Sequence, residues 1–176
     1  MQNGTPYQIQ LCVEPGTQHS PEFLKEQITD ALDNMSIQSR WLRFASPINS
    51  LTDEQLDYLV DLDGKDRAAW CASISANDDE RGIGLARYIK LKDENNVAEF
   101  ALTLVDEFQG QGIGYVLLKQ LLKTARNNHL KKLRGYVLPS NKHMLSLCQR
   151  FDASFYTDDA SFVIVDIPIT MNSGRK

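Results

Sequence analysis

Residues 102–114 place the tightest constraint on the fold. They read LTLVDEFQGQGIG: an apolar segment, then three alternate glycines, then the start of an apolar pattern with helical spacing. Alternate glycines remove Cβ atoms from the turn, and backbone N–H groups at the start of a helix are free to bind an anion. The sequence therefore predicts a buried strand, a turn that cradles a pyrophosphate and a helix over 113–128. The alternative is a tight turn whose glycines only satisfy backbone geometry.

Better-known phosphate-binding loops do not fit these residues. A P-loop needs Gly-Lys-Ser/Thr at the start of the helix, but Gly114 is followed by Tyr115. A dinucleotide-binding loop needs the spacing G-x-G-x-x-G, whereas Gly110, Gly112 and Gly114 alternate. The same spacing excludes the glycine-rich loop of protein kinases.

The remaining pattern predicts an α/β fold with one mixed sheet and helices on both faces, forming a single domain over residues 1–176. One helix begins at Ser20-Pro21, and another begins at Thr52, where Gln55 completes a capping box. The acidic turn 77–82 predicts a hairpin, and Pro139-Ser140 is expected to cap the last helix. Strands are predicted over 7–13, 68–75, 83–91, 97–105, 133–138, 154–157 and 162–167. The predicted order is β-α-α-β-β-β-α-β-α-β-β, with 97–105 as the central strand.

Composition excludes several classes of protein. With 42% hydrophobic and 24% charged residues, the 176-residue chain has the balance of one folded domain rather than of a disordered one. Its longest apolar stretches are far shorter than the roughly 20 residues that span a bilayer. The N-terminus lacks the pattern of a signal peptide, so we expect a cytoplasmic protein. Cys12, Cys71 and Cys148 lack metal-ligand spacing, so we expect reduced thiols and no metal.

Charge is distributed unevenly along the chain. Residues 1–98 carry 9 Lys and Arg against 16 Asp and Glu, whereas residues 99–176 carry 10 against 7. An acidic first half favours a cationic ligand and a basic second half favours a phosphorylated one, with scattered solvated charge as the alternative. Basic residues form no long run with aromatic neighbours, which argues against nucleic acid as a partner.

The sequence QGQGIG over residues 109–114 resembles the Q/R-x-x-G-x-G/A signature of the GNAT superfamily of acetyl-CoA-dependent N-acetyltransferases. The resemblance extends to 97–114 and to 133–151, and the order of elements agrees over nearly the whole chain. More narrowly, residues 40–44, 51–72 and 98–114 are similar to the acetyltransferase domain of bacterial protein lysine acetyltransferases.

The resemblance implies a central splayed sheet and a set of residues that bind acetyl-CoA as the acyl donor. The thioester would lie where strands 97–105 and 133–138 splay apart. Lys142 and Arg150 could contact the 3′-phosphate, with a solvated helix face as the alternative for each. The arm of the cofactor would meet backbone groups of Leu102 and Leu104, where the strand bulges, and the side chain of Asn141. The pyrophosphate would be cradled by Gln109, Gly110, Gln111, Gly112, Ile113 and Gly114.

Glu99 is the candidate general base. An alkylamine with a pKa of about 10.4 is neutral in only about one molecule in a thousand near pH 7.4, so a carboxylate that helps remove the proton has a use. Glu99 interrupts a strand that is otherwise apolar on both faces; the alternative is a strand-edge glutamate that points into water. Many GNAT enzymes have a tyrosine as general acid where this chain has Cys148, which could instead be an incidental core residue.

Three functions remain open at this stage. The first is an enzyme that moves acetyl from acetyl-CoA directly to a primary amine, most simply the ε-amine of a protein lysine. The second is an enzyme for a small-molecule amine such as a polyamine or an aminoglycoside. The third is a non-catalytic acyl-CoA-binding module, which would have no use for Glu99. The sequence leaves the acceptor, the preferred acyl chain and the oligomeric state open.

Overall fold

The computed structural model describes residues 6–12, 20–76, 79–157 and 162–169. These residues form an α/β structure with one mixed sheet. Its strands are β1 Gln8–Leu11, β2 Arg67–Ala76, β3 Asp79–Lys90, β4 Val97–Leu104, β5 Lys132–Val137, β6 Ser154–Thr157 and β7 Val163–Pro168. Its helices are α1 Pro21–Asp33, α2 Ile37–Phe44, α3 Asp53–Val60, α4 Ile113–Asn127 and α5 Lys142–Gln149, with a 3₁₀ turn at Asp106–Phe108.

The sheet splays at its centre. Its order is β1-β2-β3-β4-β5-β7-β6, so β4 is the middle strand, as the sequence predicts. β4 pairs with β3 in antiparallel fashion along its length, but its parallel pairing with β5 covers only Val97, Ala98 and Glu99. Beyond Glu99 the two strands part. This opening confirms the predicted splay.

Helices cover both faces of the sheet. α4 packs on β2, β3 and β4, and its buried residues include Leu117, Leu118 and Leu121. α1 packs on β3 and α3, and α2 packs on β4 from the opposite face. Because side chains alternate along a strand, Phe100 is buried on the α4 side while Thr103 is reached by α2.

Two helix starts confirm the capping signals in the sequence. The Ser20 hydroxyl accepts a hydrogen bond from the N–H of Phe23 at 3.1 Å. Thr52 and Gln55 form the reciprocal capping box, because each side chain accepts from the backbone N–H of the other. Polar side chains thus satisfy first-turn N–H groups of α1 and α3.

Several predicted features are wrong. α2 is an additional helix that begins after the N-cap Ser36. Its first residue, Ile37, is 83% exposed and none of its residues is buried, so α2 lacks the buried apolar stripe by which a helix is recognised in a sequence.

Residues 79–82, predicted as part of the hairpin turn, belong to β3. Asn141, rather than Pro139-Ser140, caps α5. β4 keeps a continuous register with β3 through Leu102 and Leu104, and the register shift lies instead between β2 and β3, where Ile83 has no partner in β2.

The expectation of reduced thiols is also contradicted, because Cys12 and Cys71 form a disulfide across 59 positions of sequence. Cys12 directly follows β1, and its N–H donates to the carbonyl of Ala69 at 2.8 Å. β1 pairs with β2 so that Gln10 lies opposite Cys71. The pairing of these strands brings together two cysteines whose spacing in sequence carries no signal.

The described helices include none that is long and apolar enough to cross a membrane.

Candidate active site

A cleft of about 680 Å³ opens where β4 and β5 part. The residue at the mouth of the splay is Glu99, the last β4 residue paired with β5. The cleft is bordered by α2, β4, the glycine turn, β5 and α5, with lining residues that include Ser39, Arg43, Glu99, Leu102, Gly110, Gly112, Gly114, Tyr136, Asn141, His143 and Arg150. The structure therefore brings the predicted base, the glycine turn and Asn141 to one opening.

The glycine turn has a backbone that only glycine adopts easily. Gly110 and Gly112 have φ angles of 71° and 86°, in the left-handed region. A Cβ at either position would meet no atom of the described residues within 4 Å, so the space above both residues is open in this part of the structure. Gly114 differs, because a Cβ there would lie 3.3 Å from Leu104 Cδ1. Gly110 and Gly112 thus shape a turn that a ligand can approach, and Gly114 allows close packing of α4 on β4.

The turn leads into the N-terminus of α4. Gly112 is the N-cap, and no side chain of the described residues caps this helix. The N–H of Val116 donates to the carbonyl of Gly112 at 3.2 Å, while first-turn N–H groups have no carbonyl one turn earlier within the helix. Such donors, together with the positive end of the helix dipole, are the features that suit a helix start to an anion.

The glutamine side chains of the turn hold it in place. Gln109 Nε2 donates to the Leu104 carbonyl at 3.0 Å and to Ser39 Oγ at 3.2 Å. Gln111 Nε2 donates to the Glu107 carbonyl at 2.8 Å. With both side-chain amides committed to the protein, the groups of the turn that remain for a pyrophosphate are backbone N–H groups.

The backbone of β4 beyond Glu99 faces the cleft at alternate residues. The N–H of Val105 donates to the carbonyl of Ile83 at 3.0 Å, toward β3. Backbone groups alternate in direction along an antiparallel strand, so those of Leu102 and Leu104 point to the other edge, toward the splay. The Leu104 carbonyl already accepts from Gln109, whereas Leu102 also lines the cleft.

Asn141 serves first as a cap. Its Oδ1 accepts from the N–H of Met144 at 3.1 Å and starts α5. Among the described residues no partner is recorded for its Nδ2, which leaves a donor at the wall of the cleft.

Asp106 is a structural residue that the sequence did not reveal. It accepts hydrogen bonds from the N–H and hydroxyl of Ser36, at 3.0 and 2.6 Å, and from the hydroxyl of Ser39 at 2.8 Å. Burial raises the pKa of Asp106, but these hydrogen bonds outweigh it and lower the pKa below its ordinary value. Asp106 thereby fastens the start of α2 to the segment that leads into the glycine turn.

The other residues considered from sequence divide between cleft and core. Arg150 lines the cleft, with its guanidinium 4.1 Å from the ring centroid of Tyr115, while Lys142 is exposed. Cys148 is fully buried in the core, and burial raises the pKa of its thiol to about 12. Cys148 therefore serves in the packing of the core. The described residues contain no group of His, Cys, Asp and Glu that could hold a metal ion.

Comparison with known proteins identifies the family. The model of the acetyltransferase (GNAT) family matches residues 35–153, which include the central strand, the glycine turn and α5. The chain belongs to this family. GNAT enzymes in general use acetyl-CoA as the acyl donor.

Individual relatives show the same relationship. A protein of Pseudomonas aeruginosa named acetyltransferase is 28% identical over 124 residues, which are 70% of this chain and 66% of that protein. Acetyltransferase Pat of Mycolicibacterium smegmatis is 27% identical over 134 residues, 76% of this chain and 39% of that protein. The GNAT domain of S. lividans PAT has a TM-score of 0.73 at 20% identity, covering 82% of this chain and 84% of that domain. The chain thus spans less than two thirds of the curated relatives it matches.

Proposed function

We propose that the chain binds acetyl-CoA in the cleft between β4 and β5 and transfers the acetyl group to the ε-amine of a protein lysine, with Glu99 as the general base. The observation that carries this proposal is the position of Glu99. It is exposed at the mouth of the splay, on the cleft that also contains the anion-binding glycine turn. A carboxylate at that point can meet an amine that enters from solvent.

The residues present fit acetyl-CoA. The open space above Gly110 and Gly112 admits a pyrophosphate to the backbone N–H groups at the start of α4. Leu102 offers backbone groups to the amides of the pantetheine arm, and Asn141 Nδ2 offers a donor from α5. Arg150 lies on the same cleft and can contact a phosphate as a cation. When bound, acetyl-CoA supplies an activated acetyl thioester.

Glu99 then has one chemical task. It accepts a proton from the ammonium form of the acceptor, directly or through a water, so that the nitrogen has a lone pair for attack on the thioester carbonyl. The new bond is the amide N–C bond and the broken bond is C–S. The nitrogen loses its second proton as the amide forms, and that proton, passed through water, can protonate the departing CoA thiolate. Cys148 has no part in this step, since its thiol is buried and remains protonated at neutral pH.

The preference for a protein acceptor rests on two features. The chain is similar to acetyltransferase Pat and to the GNAT domain of PAT, although it covers only 39% of the length of acetyltransferase Pat. In addition, α2 borders the cleft through Ser39 and Arg43, and its outer face exposes two large apolar side chains, Ile37 at 83% and Trp41 at 46%. Exposed apolar side chains on a helix at the rim of a cleft suit contact with another protein better than contact with a small polycation.

The test is an acceptor screen. A whole-cell lysate is incubated with the enzyme and acetyl-CoA, and lysine acetylation is measured by mass spectrometry against a matched reaction with Glu99→Gln. We expect lysines that gain acetyl only with the parent enzyme. Acetylation of spermidine or an aminoglycoside without any gain at lysine would instead establish a small-molecule acetyltransferase. Binding of acetyl-CoA without turnover of any amine would establish a binding module.

A further inference from the structure

Arg43 places a guanidinium on the wall of the same cleft. It projects from α2, and its Nε donates to Thr103 Oγ1 of β4 at 2.9 Å. Thr103 and Glu99 lie four residues apart on β4, so their side chains share one face of the sheet. Arg43 lines the cleft together with Glu99 and is partly buried. The structure records no hydrogen bond or ion pair between the two terminal nitrogens of Arg43 and the described residues.

Arg87 is a second cation on the sheet face that Arg43 contacts, and its charge acts on Arg43. It projects from β3 opposite Ala101, and it is only 5% exposed. Its Nη2 reaches the carbonyl of Tyr58 at 3.5 Å and its guanidinium lies 5.2 Å from the centroid of the Tyr58 ring. Its Nε is buried and has no hydrogen-bond partner among the described residues. Arg87 is therefore a buried cation with part of its hydrogen-bonding capacity unused.

The charges at this point do not balance. Within the part of the chain that the structure describes, neither arginine is within 4.0 Å of a carboxylate oxygen, although Glu99 attracts both from a greater distance and Asp61 also attracts Arg87. Burial, and then the charge of Arg87, lower the pKa of Arg43 to about 10, so it remains a cation at neutral pH. Buried cations without a paired anion are costly, and an anion that enters the cleft would relieve that cost.

We propose that Arg43, with the buried charge of Arg87 on the same sheet face, binds a carboxylate of the substrate beside the reacting amine. The proposal rests on the proposed function in that it places the carboxylate in the acetyl-transfer cleft. A carboxylate matches the geometry, because the two free terminal nitrogens of Arg43 form a fork that a planar carboxylate can accept in bidentate fashion. The pyrophosphate of the donor is a different anion, bound at the glycine turn.

This carboxylate can come from either substrate. One source is the acceptor, as an acidic side chain next to the lysine or as the α-carboxylate of an amino acid. The other source is the donor, as the free carboxylate of a dicarboxylic acyl group such as succinyl. Both present the same chemistry to Arg43, and matched substrates distinguish them.

The experiment measures kcat/KM for pairs that differ in one carboxylate. The acceptor pairs are a lysine peptide with Asp beside the lysine against the same peptide with Asn, and an amino acid against its amide. The donor pair is succinyl-CoA against butyryl-CoA. Each pair is run with the parent enzyme, Arg43→Gln, Arg43→Lys and the control Arg126→Gln, which removes an exposed cation from the last turn of α4.

We expect the parent enzyme to prefer the carboxylate member of one pair by about 10- to 100-fold, the range for a charge-assisted hydrogen bond. Arg43→Gln should bring the ratio close to one, Arg43→Lys should retain part of it, and Arg126→Gln should leave it unchanged. A ratio within one preparation does not depend on how much of a variant is folded. Preference in an acceptor pair assigns the carboxylate to the acceptor, and preference in the donor pair assigns it to the acyl group.

Two results would overturn the proposal: no carboxylate preference by the parent enzyme in any pair, or a preference that survives in Arg43→Gln. A protein that turns over no amine and binds both donors with equal affinity in calorimetry also counts against it. Failure of the protein-lysine proposal is a separate outcome. It would appear as inactive peptides together with an intact preference in the amino-acid pair.

Discussion

Replacement of Gly112 by alanine tests whether the glycine turn binds the donor through its backbone. Gly112 has a φ angle of 86°, and a Cβ there would meet no atom of the described chain within 4 Å, so alanine adds backbone strain without a clash with those residues. The left-handed region costs an L-residue roughly 1–2 kcal/mol. If the free protein relaxes the turn, that energy must be recovered on binding, which corresponds to about a 5- to 30-fold rise in the Kd of acetyl-CoA.

Calorimetry with acetyl-CoA measures this change, and Gly112→Asn is the matched control. Asparagine tolerates the left-handed region better than alanine, because its short polar side chain can hydrogen-bond locally. We therefore expect the asparagine variant to bind acetyl-CoA with an affinity between those of the parent protein and Gly112→Ala. Equal affinity of the alanine variant and the parent protein would show that the conformation of the glycine turn has no part in binding acetyl-CoA.

Three further predictions concern stability. Burial raises the pKa of Asp166 of β7, but the hydrogen bonds that it accepts from Lys132 Nζ, Arg134 Nε and the Tyr156 hydroxyl, at 2.6, 2.8 and 2.8 Å, outweigh its burial and lower its pKa to about 2. Asp166→Asn should therefore lower the free energy of unfolding by about 2 kcal/mol at pH 7. In urea titrations this difference should persist above pH 4 and shrink as the pH falls toward 2. Asp106→Asn should weaken the attachment of α2 and cost about 1–3 kcal/mol by the same assay. Thiol titration of the denatured, unreduced protein should find one thiol per chain, and reduction of the Cys12–Cys71 bond should lower stability by about 2–4 kcal/mol; three thiols would contradict the disulfide.

The parts of the fold that sequence predicts are those with local signals. The alternating glycines, the capping box at Thr52 and the apolar central strand are patterns of neighbouring residues, and each corresponds to the structure. α2 escaped because a helix at the rim of a cleft buries little apolar surface. The Cys12–Cys71 bond escaped because it depends on the register of two strands that are distant in sequence.

The candidate site shows the same division. Glu99 and the glycine turn could be predicted because a carboxylate and glycines stand out from an apolar pattern. Asp106, Arg43 and Arg87 could not, since isolated charged residues usually lie at the surface. What makes these three distinctive is their surroundings: serine donors around Asp106, and a sheet face where two arginines lack a nearby carboxylate.

The role of Glu99 as the general base is tested most directly by comparing Glu99→Gln with the parent enzyme for both acetyl-CoA affinity and turnover. Glutamine keeps the size of the side chain and removes its ability to accept a proton, so calorimetry should give an unchanged Kd for acetyl-CoA. At pH 7, release of the CoA thiol with an acceptor lysine should fall by about 10²- to 10⁴-fold. Undiminished turnover in the variant would show that Glu99 is not the general base.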